Sequence, residues 1–240
     1  MGEGWIKDTN ARFFTFPVEL LRGAFTNIAG VCSDAFAYAV YVRCKTYGET
    51  PLRGVLYFRI AYDATEAKGV YVRGRELYDS FTRPVLVSVN KAIVFNFMGN
   101  PKTDFEIAVF CAFCGLRSII GTKPYVKTNN GLLLARMFGY ASVKEFEALK
   151  EKHSYYIDNF STAQKIRYQL TKKIIRNELV LTWGLKYYSS QSKGFYASFK
   201  LGLDALVLYA KKSRKSTKLK QQQQEEKQIV ERIERQLRGK

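Results

Sequence analysis

The chain has 240 residues, 47% of them hydrophobic and 15% aromatic. It is long enough for one large or two small domains and apolar enough to build a core, which excludes wholesale disorder. Lys and Arg number 39 against 21 Asp and Glu, a net charge of +18, and the excess is uneven. Residues 1–106 hold 13 basic and 11 acidic residues, residues 107–210 hold 15 and 6, and residues 211–240 hold 11 and 4. Such asymmetry points to a polyanionic partner, nucleic acid before an anionic membrane.

The first half reads as mixed helix and strand. Pro17 opens a helix, Val18–Ala29, and Gly30 closes it. Ser33 caps a second helix, Asp34–Tyr47, with Gly48 beyond its end. Val55–Tyr62 and Gly69–Arg73 read as strands, Arg75–Phe81 as a short helix stopped before Pro84, and Val85–Phe97 as a strand rich in β-branched and aromatic residues. The cluster Met98-Gly99-Asn100-Pro101 marks a boundary.

The second half has clearer punctuation. Thr103 or Asp104 caps an apolar helix to about Ile120, and Gly121 stops it. Pro124–Lys127 is a short extended piece. Asn129 or Asn130 caps a helix, Gly131–Phe138, ending at Gly139. Ser142 and Glu145 have capping-box spacing for a helix over Val143–Lys152. Ser161 caps a helix, Thr162–Arg176. Strands Leu179–Tyr188 and Phe195–Leu201 follow, joined by a turn at 189–194, and then a helix, Leu203–Lys211. From 211 a basic stretch runs into Gln221–Gln224 and an end whose Ile229, Ile233 and Leu237 share one helical face, too short a stripe for a coiled coil. The expected organisation is α+β: residues 1–100 an α+β domain, 101–210 a DNA-binding domain and 211–240 a basic, Gln-rich tail. The Ser33-Asp34 and Thr103-Asp104 caps, each followed by Gly and then Pro, echo one another. A duplication is one reading of this echo, chance the other.

The order helix, short strand, three helices and hairpin over 103–201 resembles a winged-helix domain. The resemblance is carried by residues 133–142 (LLARMFGYAS), by residues 161–180 (STAQKIRYQLTKKIIRNELV) and by the hairpin after them. Ala135 and Gly139 have the small-residue spacing of helix-turn-helix units, whereas Phe146 falls one residue off the usual register. Two similar-sized modules, the first a second winged-helix-like unit if the duplication is real, resemble plasmid replication initiators built from tandem winged helices. That resemblance implies binding of double-stranded DNA at origin repeats, with a homodimer or replication proteins as further partners.

In Thr162–Arg176, Ala163, Ile166, Leu170 and Ile174 form an apolar stripe at helical spacing. The opposite side presents Ser161, Lys165, Tyr168 and Lys172, flanked by Gln164, Gln169 and Arg176. Lysine neutralises phosphate or reaches guanine, and glutamine pairs with adenine. An amphipathic surface helix with a solvated basic face is the plainer reading. In the hairpin, Leu179, Leu181, Trp183, Leu185 and Tyr187 alternate on one face. Lys186, Lys193 and Lys200 take the other face or the tip, where they suit a phosphate backbone or simply protect an edge. No acidic residue occurs from Ile107 to Lys144, while Arg117, Lys123, Lys127, Arg136 and Lys144 do. The expected DNA contacts are thus Ser161, Gln164, Lys165, Tyr168, Lys172, Arg176, Lys186, Lys193, Lys123, Lys127 and Arg136.

No enzyme, cofactor or metal site is expected. His153 is the sole histidine, and there is no P-loop pattern. Asp63 with Glu66, and Glu76 with Asp79, lack a nuclease spacing. His153 beside Tyr155 and Tyr156 suits an inter-helix connection better than covalent catalysis. Cys111 and Cys114 form a CxxC inside the apolar run Ile107–Leu116, where small buried hydrophobes are the better reading than ligands. That run is about half a membrane span, and the start lacks a signal-peptide h-region. The expected location is cytoplasmic or nucleoid-associated, with no membrane partner. A transcriptional regulator with a sensing or dimerising first half, and an RNA-binding or assembly protein using the tail, are the alternative functions.

Overall fold

The computed structural model describes residues 12–149, 166–189 and 194–213, with Gln224 and Lys227 beyond them; the side chains of 166–168 are outside it. The fold is α+β, with a two-stranded and a three-stranded antiparallel sheet among the described residues.

The first sheet pairs β1, Phe13–Pro17, with β2, Leu86–Asn90. Alternation along the strands sends Phe14, Phe16, Val87 and Val89 inward. On the other face Thr15 and Ser88 share a hydrogen bond of 2.7 Å between their hydroxyls. The Phe14 ring meets Phe36, Phe58 and Phe95, at centroid distances of 5.4, 4.8 and 5.5 Å. Pro17 does not open a long helix over 18–29. Val18–Gly23 is one 3₁₀ segment, and the chain turns before α1, Ile28–Tyr47. Asn27 caps α1, its Oδ1 accepting from the Gly30 N–H, so Gly30 lies in the first turn and Ser33 inside the helix. The echo between capped helices at 33–34 and 103–104 falls with that. Gly48, in the left-handed region at φ 64°, ends α1.

Neither strand expected at Val55–Tyr62 or Gly69–Arg73 forms: residues 55–57 are the last of a helix and 58–62 are turn and irregular chain, while 69–73 lie wholly within a helix. Thr50 caps and Pro51 opens α2, Pro51–Tyr57, and residues 58–63 form the turn beyond it. Asp63 and Glu66 form a reciprocal capping box for α3, Ala64–Ser80, which absorbs the helix expected at Arg75–Phe81. α1 and α3 cross closely at Gly74, where a Cβ would run into the Ala37 carbonyl and Tyr41. Val85–Phe97 is not one strand either. Asn90 Oδ1 accepts from the Ala92 N–H and starts α4, Lys91–Gly99.

Thr103 and Glu106 form a capping box for α5, Asp104–Ile120, and its apolar run is buried. β3, Val126–Thr128, leads into α6, Asn130–Met137, which Asn129 caps. α7, Val143–Leu149, follows, with Ser142 Oγ accepting from the Glu145 N–H. α8, Ile166–Val180, is a π-type helix. It reaches four residues past Arg176 and takes in Leu179, which was expected in a strand. β4, Lys186–Tyr188, and β5, Phe195–Ser198, are correspondingly short. The sheet order is β3–β5–β4. α9, residues 203–213, seats Leu206 and Ala210 on Tyr196, with Tyr125 and Tyr188 beside them.

Buried side chains form one cluster from Phe14 to Ala197, and it crosses the sequence boundary at 98–101. Phe97 stacks on Phe110 with centroids 4.5 Å apart, and Arg117 Nε donates to the Ser88 carbonyl at 3.4 Å. The 3₁₀ segment also reaches the far half. Arg22 donates from Nη2 to Glu145 Oε1 at 2.7 Å and from Nε to the Gly139 carbonyl at 3.1 Å.

Candidate nucleic-acid interface

α8 is built around a wide-helix period. Leu170, Ile174, Ile175 and Leu179 are all at most 1% exposed. Their spacing of four, one and four residues suits a helix of about 4.4 residues per turn, the geometry of i→i+5 bonding. On an α-helical wheel these four would spread over half the circumference; on the wide one they make a narrow stripe. That stripe packs on α5, α6 and β4. Asn130 Nδ2 donates to Thr171 Oγ1 at 3.1 Å, fixing α8 to the start of α6.

The opposite side of α8 presents Lys172, Arg176 and Asn177, all exposed. Of the expected contacts on this segment, Lys172 and Arg176 are thus brought together at the surface. Arg176 leans toward the hairpin, its Cζ 5.7 Å from the Tyr187 ring centroid. Ser161, Gln164, Lys165 and Lys193 lie outside the described residues, as does the side chain of Tyr168. Asn177 was missed by sequence reasoning, because an α-helical wheel does not align it with Lys172.

The sheet cations form a second group. Lys127 pairs in register with Tyr196, Tyr196 with Tyr188, and Lys186 with Ser198. Directly opposed residues share a face, so Lys127 and Lys186 lie with Tyr188 and Tyr196 on the face that α9 partly covers. Lys127 is exposed and Lys186 half-buried. Lys123 is exposed in the turn after α5, and Lys200 Nζ reaches back to the Thr122 carbonyl at 3.0 Å. Ser198 locks this end: its buried hydroxyl donates to the Pro124 carbonyl at 2.6 Å and accepts from the Lys200 and Leu201 N–H groups at 3.0 and 2.8 Å. Two basic surfaces result, one on α8 and one on the outer sheet face.

Arg136 stands apart from both. Its Nε and Nη1 are buried with no hydrogen-bond partner among the described residues, and the carboxylates of Glu19 and Glu145 act on it. Burial lowers its pKa, with those carboxylates opposing the shift. It belongs with Arg22, Glu145 and Gly139 in the junction between the 3₁₀ segment and the α6–α7 turn.

The carboxylates weighed for catalysis have structural work. Asp63 and Glu66 cap α3, Glu76 lies 3.5 Å from Arg73, and Asp79 lies 3.7 Å from Arg75. Among the described residues no three His, Cys, Asp or Glu side chains are grouped to hold a metal, and no helix is long and apolar enough to cross a membrane. His153, Tyr155 and Tyr156 lie outside the described residues. The four cysteines are buried. Burial pushes the Cys32 thiol up to about 12 and raises Cys44, Cys111 and Cys114 as well. No family model, curated protein or solved structure matches the chain.

Proposed function

We propose that the chain is a sequence-specific duplex-DNA-binding protein whose residues 104–198 act as a winged helix, with α8 in the major groove and the β4–β5 hairpin as the wing. The observation that carries this reading is the element order α5, β3, α6, α7, α8, β4, β5 with the strands joined in one sheet in the order β3–β5–β4. In that arrangement the helix before the hairpin presents one side outward, and here that side is Lys172, Arg176 and Asn177. Lysine and arginine there suit phosphate or guanine, and asparagine suits adenine. The remaining excess of positive charge in residues 107–240 supports a polyanionic partner. We assign the chain origin recognition for a replication machinery; with Ser33 inside α1 the repeat between the halves no longer supports that step, which rests on the winged-helix order of the second half and its basic charge. Its setting would be the cytoplasm or nucleoid.

The test is selection of bound sequences from a random duplex pool, followed by affinities for the selected site. Lys172→Ala and Arg176→Ala, each exposed, should keep the melting temperature. A lost base contact should cost about 1–3 kcal/mol at the selected site alone. A lost phosphate contact should weaken all sites alike and shallow the salt slope by about one. If the double variant binds selected and random duplexes like the wild type, α8 is not the reading helix.

A further inference from the structure

A second cationic and aromatic feature lies in the first half, away from α8. Arg43, on α1, sits between two tyrosines. Its Cζ is 3.9 Å from the ring centroid of Tyr47 and 3.9 Å from that of Tyr57. Arg12 adds a further layer, with Cζ 4.5 Å from the Tyr57 centroid. The four side chains make an alternating stack of tyrosine and arginine that ends at Tyr47. Arg43 is fixed in its plane by a two-pronged ion pair with Glu49, Nε to Oε2 at 2.9 Å and Nη2 to Oε1 at 2.7 Å. The terminal ring is therefore held from below, yet Tyr47 is 64% exposed.

A ring held rigidly on one face and open on the other is pre-organised to accept a second planar group. The charge around it narrows the partner. Residues 42–62 contain Arg43, Lys45, Arg53 and Arg59 against one acid, Glu49, which Arg43 already occupies. The whole of residues 1–106 has an excess of only two, so the positive charge of this half is concentrated here. Arg53 and Arg59 are exposed. Arg59 has φ 57°, a left-handed backbone where glycine or asparagine is the easier choice. An open planar ring on a stretch of chain that also carries exposed guanidinium groups is suited to a base and its phosphates. In a duplex those base faces are hidden by stacking, so the fitting partner is single-stranded.

We propose that Tyr47, seated on the Arg43–Tyr57–Arg12 stack, is a platform for an unpaired base of single-stranded nucleic acid, with Arg53 and Arg59 meeting its phosphates. The inference is independent of the duplex-reading role of α8, and the two fail separately. The probe is a labelled oligothymidine of about 20 nucleotides, long enough to cover one such site, titrated with the full chain by fluorescence anisotropy. Tyr47→Ala should weaken binding about five- to hundredfold, the range for loss of one stacked base. Tyr47→Phe keeps the ring and should bind within about twofold of wild type, since stacking needs the π face and not the hydroxyl. Duplex affinity should be unchanged in both. Lys172→Ala with Arg176→Ala should leave the oligothymidine affinity unchanged. The proposal is overturned if the wild type does not bind oligothymidine, if Tyr47→Ala binds it like wild type, or if Tyr47→Phe loses as much as Tyr47→Ala.

Discussion

Gly139 illustrates how a single residue joins distant parts of the chain. Its φ is 77°, and a Cβ there would lie 2.8 Å from the Arg22 backbone nitrogen and 2.8 Å from its Cγ. Left-handed backbone costs an alanine about 1–2 kcal/mol, and overpacking adds about 1–3 kcal/mol. Gly139→Ala should therefore lower the unfolding free energy by at least about 2 kcal/mol in urea titration. A loss below about 0.5 kcal/mol would mean that the 3₁₀ segment does not rest on this turn. Ser198 is a second such point, because its hydroxyl makes three bonds with no solvent to replace them. Ser198→Ala should cost about 1–3 kcal/mol. The cysteines give a chemical test of burial. With Cys32 held to about 12 and the other thiols raised, iodoacetamide at pH 8 should leave the native protein unlabelled and modify all four sites in denaturant. Labelling of the folded chain at the rate of a free thiol would contradict the buried placement.

At the scale of elements, α1 and α3 cross closely at Gly74. A methyl group at Gly74 has nowhere to go except into the Ala37 carbonyl and the Tyr41 Cβ. Both obstacles are rigid, so Gly74→Ala should cost about 3 kcal/mol or more, the upper end of overpacking losses. The melting temperature should report this directly. The same elements show which signals the sequence carried. The caps at Thr103, Asn129 and Ser142 were legible, because a short polar residue stood before an apolar run of helical period. The capping pair Asp63 and Glu66 and the cap at Asn90 were equally present. They were outweighed by valines, tyrosines and phenylalanines that suggest strands. Those residues are helical here because their side chains pack between helices; Tyr71, for instance, meets Tyr41 at 5.1 Å. Residues 166–176 of the expected helix are helical, but α8 runs four residues further; the exposure of its Lys172 and Arg176 was legible from spacing. Its true period was not legible, so Leu179 was assigned to the hairpin and Asn177 overlooked. The Tyr47 stack was invisible for another reason. Arg43 and Tyr47 are four residues apart on one helix, but Arg12 and Tyr57 join them only through tertiary packing.

For the whole molecule, charge and core make different demands. The net charge of +18 should give duplex binding a steep dependence on salt, about −0.9 in logarithmic slope per phosphate neutralised. Removing residues 211–240 takes away 11 basic and 4 acidic residues. The truncated chain should bind every duplex more weakly and keep its preference among sites. Loss of preference would assign sequence reading to the tail instead. The buried cluster is continuous across the two halves: Phe25 stacks on Phe138 at 5.4 Å and Phe138 on Phe146 at 5.6 Å.

The wide separation of these partners also bears on how the protein comes into being. A ribosome delivers β1 well before its partners: Thr15 waits 73 residues for Ser88, and Arg22 waits 123 residues for Glu145. Until β2 has been made, Phe14 and Phe16 have no strand opposite them. Late-arriving contacts of this kind slow folding and leave apolar edges open to other chains. Expression at lower temperature, or with chaperones that shield β1 before its partner strand exists, should therefore raise the yield of native protein more than any change in the basic tail.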